Sequence, residues 1–118
     1  MIRPNKNLST VFIYRRFIDF RKQVNGLSNL VQYALKRNPM SGDLYVFFNR
    51  RMDKVRILYW ERSGFVLYGK YLEKDTFSLP RGDADVVSIT GEQLNWLLDG
   101  IDINLIVPHQ RVVYDLAG

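Results

Sequence analysis

Apolar and polar positions divide the chain into segments of two periods. "STVFIYRR" (Ser9–Arg16) is rich in β-branched and aromatic residues and reads as a strand. Next, Leu27, Leu30, Val31, Ala34 and Leu35 recur at helical spacing and make one apolar face, with Asn25 as the cap of that helix. Pro39 and Gly42 end it. From Leu44 to Leu79, short apolar runs are separated by "NRRMD", "ERSG" and "LEKD", which predicts an antiparallel meander of about four strands. An acidic loop, "PRGDADVV", follows. "TGEQLNWLLDGI" then predicts a second helix, with a capping box of Thr90 and Gln93. Its stripe is Leu94, Leu97, Leu98 and Ile101, and Gly100 is its stop. "RVVYDL" in the tail could add a strand. The expected architecture is α+β, a mostly antiparallel sheet with both main helices packed on one face, in a single domain over residues 1–118.

The segment "VFFNRRMDKVRILYW" (Val46–Trp60) raises the functional question. If "NRRMD" pairs Phe48 with Lys54 and "ERSG" pairs Trp60 with Phe65, then Tyr45, Phe47, Val55, Ile57, Tyr59, Val66 and Tyr68 share the face that takes the helices. The other face carries Leu44, Val46, Leu58, Trp60, Phe65 and Leu67 at one end. At its other end stand Phe48, Lys54, Arg56, Gly69 and Tyr71, just below Arg50 and Arg51. A slip of one residue exchanges these faces.

Charge sharpens the question. The net charge is +5, but residues 1–74 hold 15 Lys/Arg against 5 Asp/Glu, and residues 75–118 hold 2 against 7. Such asymmetry fits an anionic partner for the basic part, or two parts that neutralise each other in the fold. A basic surface with interleaved rings suits nucleic acid, because cations follow phosphates and rings stack on bases. Arg50, Arg51, Lys54 and Arg56 are therefore the candidate contacts, with Arg21 and Lys22 at the flank and Tyr71 as a stacking ring. The alternative is an ordinary hairpin whose arginines solvate a turn.

Several classes are set aside on composition. There are no cysteines, which excludes disulfides and thiolate metal sites, and one histidine, His109, makes no metal cluster. The N-terminal residues are too polar for a signal peptide, and no run reaches the length of a membrane span, so a cytoplasmic domain is expected. Asp53, Glu61 and Glu73 fall in turns, where acids form turns more often than they bind metals. No succession of βαβ units suggests a nuclease core. Neither catalytic residues, metal nor cofactor are expected.

The segment from Asp19 to Pro80 resembles the TnpB-type accessory protein of the insertion-sequence-66 class of bacterial transposons. The matching elements are Asp19, Arg21 and Lys22, then Gly26 and Leu27, then Leu30, Val31 and Gln32, then Pro39, Ser41 and Gly42. They continue through Tyr45-Val46-Phe47, through Arg50, Arg51 and Asp53, and through the strand Val55 to Trp60. "QLNWLLDGID" (Gln93–Asp102) is similar to the family's closing helix, so the resemblance spans about residues 10–102. Phe48-Asn49 before Arg50, and Met52 after Arg51, depart from the usual hairpin tip, and the tail from Ile103 departs from the usual ending. The resemblance implies a non-catalytic protein that works beside a separate transposase in moving the element. The RNA-guided nuclease that shares the TnpB name is unrelated, and its activity is not carried over. Two roles remain open. One is binding of DNA with little base preference. The other is a protein-interaction adaptor anchored by Trp96, Trp60 and Phe65, with a homo-oligomer compatible with both.

Overall fold

The computed structural model describes residues 10–106. The elements are β1 (Val11–Tyr14), α1 (Val24–Tyr33), β2 (Leu44–Phe48), β3 (Lys54–Glu61), β4 (Gly64–Tyr71), β5 (Val86–Ile89) and α2 (Gly91–Leu98), closed by a 3-10 turn at Ile103–Leu105. The strands form one sheet in the order β4-β3-β2-β1-β5. Three ladders are antiparallel, while β1 and β2 run parallel. The α+β class and the mostly antiparallel sheet are as expected. The proposed tail strand and His109 lie outside the described residues.

The helices do not share a face. Alternation along β3 points Val55, Ile57 and Tyr59 to one side, where they join Leu94, Leu97 and Leu98 of α2 in a core. Leu58 points to the other side, into a second core with Leu27 and Val31 of α1. The sheet is thus the middle of three layers. It needs cover on both sides because all five residues of β2 are buried. A continuous apolar run of this kind belongs to a strand enclosed on both faces.

The register of β2 against β3 differs by one residue from the expected one. Phe48 pairs with Val55, not Lys54, and Phe47 pairs with Arg56. Asn49 sets this register. Its side-chain carbonyl accepts from the Lys54 amide at 2.9 Å, and its side-chain amide donates to Asp53 at 2.6 Å. The slip moves Tyr45 and Phe47 to the α1 side, and Leu44, Val46 and Phe48 to the α2 side. Trp60 still pairs with Phe65, as expected.

The meander is shorter than expected, with three strands between Leu44 and Tyr71. "LEKDTFSLP" is not a strand. Leu72 and Phe77 donate backbone hydrogen bonds to Asp53 and Met52, and Phe77 packs on Phe48, so this segment buttresses the first hairpin. The further strand, β5, begins inside the segment read as an acidic loop. It pairs with β1 at the opposite edge of the sheet. The succession β1–α1–β2 with parallel strands is a single βαβ unit, which the sequence pattern had not indicated.

Local signals fix α2 better than α1. Thr90 and Gln93 form the expected capping box, with bonds of 3.0 and 2.8 Å. Gly100, with φ at 83°, stops the helix. Ile101 lies past that stop and is 42% exposed, so it is not part of the stripe. α1 starts before Asn25, with Gln23 at the cap position and no side-chain cap. It ends at Tyr33, and Lys36, three residues on, takes a left-handed conformation. Ala34, expected on the apolar face, is exposed, while Leu35 is buried.

Candidate nucleic-acid interface

The α1 side of the sheet gathers four of the expected contacts at the end nearest the first hairpin. Lys54 and Tyr71 are paired on β3 and β4, and the Lys54 ammonium lies 5.4 Å from the Tyr71 ring centre. Two residues along β3, Arg56 stands opposite Gly69, which has no side chain to cover it. Its guanidinium lies 4.7 Å from the Phe20 ring centre and donates to the Lys22 carbonyl at 2.8 Å. Lys22 is exposed just before α1 begins. Lys54, Arg56, Lys22 and the 58% exposed Tyr71 therefore border one strip of surface.

Arg50 and Arg51 are exposed at the hairpin tip beyond this strip. Among the described residues neither has a carboxylate partner. The tip itself is held in shape. Met52 takes a left-handed conformation and donates to the Asn49 carbonyl at 3.1 Å. Asn49, Asp53 and the strap at Leu72 and Phe77 fix its base. Asp53 accordingly serves the turn.

Arg21 is placed differently. It donates to both carboxylate oxygens of Asp19, the shortest bond being 2.6 Å. The Arg21 hydrogen bonds hold the Asp19 carboxyl down at about 2. Asp19 pairs with Arg21, while the nearby Arg15 and Arg16 have other partners. Arg16 pairs with Asp85, and Arg15 donates to the Ala84 and Pro80 carbonyls. The 80–84 loop closes so tightly on Arg15 that a Cβ at Gly82, where φ is 143°, would meet its guanidinium.

The three aromatic residues proposed for a protein interface do not converge. Trp60 and Phe65 meet edge to face at 5.0 Å, at the far end of β3 and β4 on the α1 side. Trp96 is half-buried against the α2 core, across the sheet from them.

The sequence reading missed Phe20, which supports Arg56, and a second cation–ring contact at the other end of α1. There the Arg37 guanidinium lies 3.9 Å above the Phe12 ring centre, and exposed Lys36 is its neighbour. Close by, the loop carrying Pro39, Ser41 and Gly42 is a hydrogen-bonded unit. Tyr45 donates its hydroxyl to the Asn38 carbonyl, and Ser41 contacts both Asp43 and the Tyr45 hydroxyl. One signal was readable beforehand: residues 20–42 contain no Asp or Glu. Among the described residues no group of three or more His, Cys, Asp or Glu side chains is placed to hold a metal ion. No helix there is long and apolar enough to cross a membrane.

The described residues form a three-layer α+β fold with a basic strip beside an arginine-tipped hairpin. The model of the family described as IS66 Orf2 like protein matches residues 9–107, and the chain belongs to that family. Membership gives it a transposition-associated accessory role. It is 35% identical over 102 residues to the uncharacterized protein y4jC of Sinorhizobium fredii, covering 86% of each chain. It is 33% identical over 99 residues to y4hO of the same organism, covering 84% of this chain and 86% of that one. No solved structure matches the chain.

Proposed function

We propose that the protein is a non-catalytic, cytoplasmic single-domain subunit that grips DNA through the first hairpin and the strip beside it, alongside the element's transposase. The observation that carries this reading is the convergence of Lys54, Arg56, Lys22 and Tyr71 next to Arg50 and Arg51, with no acidic side chain bonded to any of the six among the described residues. A guanidinium can meet a phosphate with two parallel hydrogen bonds, so the two tip arginines are the leading contacts. The test is a salt-titrated binding measurement with duplex and single-stranded DNA. Wild-type affinity should fall steeply as salt rises, because each phosphate neutralised releases counterions. Arg50→Glu with Arg51→Glu should abolish binding and leave the unfolding transition in place, since the exposed tip carries little core. Absence of binding at low salt, or an unaffected double variant, removes this hairpin from the reading.

A second reading, an adaptor for the transposase, draws on the Trp60–Phe65 pair, a half-buried aromatic contact at the end of the sheet away from the cations. It expects Trp60→Ala to weaken transposase capture while the arginine reversals do not.

A further inference from the structure

We infer that the outer face of α1 reads base edges in the major groove of duplex DNA. This rests on the nucleic-acid reading above and adds a substrate class, the duplex, and a mode, direct readout.

The first observation is what α1 leaves outside. Leu27 and Val31 are buried on the sheet, so the helix has one inward stripe. The opposite side exposes Asn25, Asn29, Gln32 and Tyr33. Among the described residues the side-chain amides of Asn25, Asn29 and Gln32 hydrogen-bond to no other protein group. They stand at i, i+4 and i+7, a separation of about 10 Å along the helix axis from first to last. At about 3.4 Å per base-pair step, that row spans about three base pairs. Asn and Gln are the side chains that can bond an adenine through N6 and N7 at once.

The second observation is the charge around that row. No carboxylate side chain occurs from residue 20 to residue 42. Lys22 precedes the helix, and Lys36 and Arg37 follow it, all three exposed. Glu92 in α2 and Asp99 at its C-cap lie with that helix on the other face of the sheet. A neutral amide ridge bracketed by cations suits a groove walled by two phosphate strands. Phosphate contacts at the ends would set the register, and the amides would choose the bases. For a protein partner the ridge offers one large exposed ring, Tyr33, in place of the clustered anchors such interfaces use.

The experiment is selection of duplexes by the full chain from a randomised pool, followed by titration of the selected and a scrambled duplex. The selected site should contain A·T pairs at adjacent positions. Asn29→Ala with Gln32→Ala should cut the affinity ratio of selected to scrambled duplex by roughly 5- to 150-fold for each bidentate amide–adenine pair removed. Circular dichroism should report an unchanged fold, because both side chains are exposed. A wild-type protein that binds every duplex alike, or a double variant that keeps the full ratio, overturns base readout by α1 and leaves the hairpin reading standing. Binding confined to single strands does the same. No binding to any nucleic acid overturns both.

Discussion

The Arg56 guanidinium lies over the Phe20 ring, 4.7 Å from its centre, although one residue is mid-strand in β3 and the other in the loop before α1. This cation–ring contact joins the α1 layer to the candidate binding strip. It also fixes the direction of a cation that would otherwise sweep a wide volume.

Arg56→Ala should therefore act on both stability and binding. Removing the cation–ring contact and the bond to the Lys22 carbonyl should destabilise the fold by about 1–2 kcal/mol. Arg56→Lys should retain the charge but not the guanidinium bond to the Lys22 carbonyl, and so recover binding more than stability. Chemical denaturation and DNA titration on the three proteins separate the two effects.

The two cores should respond independently. Leu27→Ala on the α1 side and Leu97→Ala on the α2 side each remove a fully buried side chain and should each cost about 2–5 kcal/mol. Because the sheet lies between the two sites, the double variant should lose the sum to within about 0.5 kcal/mol. A double variant far from additive in urea unfolding would mean that the layers are coupled through the sheet.

Asp19 holds Arg21 and should restrain its use as a phosphate contact. Asp19→Asn should free the guanidinium and steepen the salt dependence of DNA binding by about one phosphate contact. The pair also gives a pH signature. The folded carboxyl sits at about 2, below its unfolded value, so the pair's contribution is present above roughly pH 4 and lost as pH falls towards 2. The stability difference between wild type and Asp19→Asn should be full above roughly pH 4, shrink as pH falls towards 2 and vanish below that.

Several features followed from the sequence because their causes are local. Thr90 and Gln93 cap α2 through groups three residues apart, and Leu94, Leu97 and Leu98 lie on adjacent turns, so no distant residue is needed to form either pattern. The turn between Trp60 and Phe65 is equally short-range. The cations at the hairpin tip and the absence of acids from residues 20–42 are properties of the chain itself.

The tertiary structure decided which face each helix covers, which strands run parallel and where β3 sits against β2. In β2 five apolar residues follow one another, so no alternation tells inside from outside, and a shift of one residue leaves the pattern equally apolar. The register came instead from the Asn49 side chain bonding across the turn. The parallel pairing of Val11 with Leu44 joins residues separated by the whole of α1, and its stability exists only once that helix has crossed the sheet. That crossing placed Phe20 under Arg56 and turned the amide row of α1 outward. The candidate strip and the helix face beside it are thus written as separate short segments, and the packing of both helices on a sheet buried from two sides brings them together.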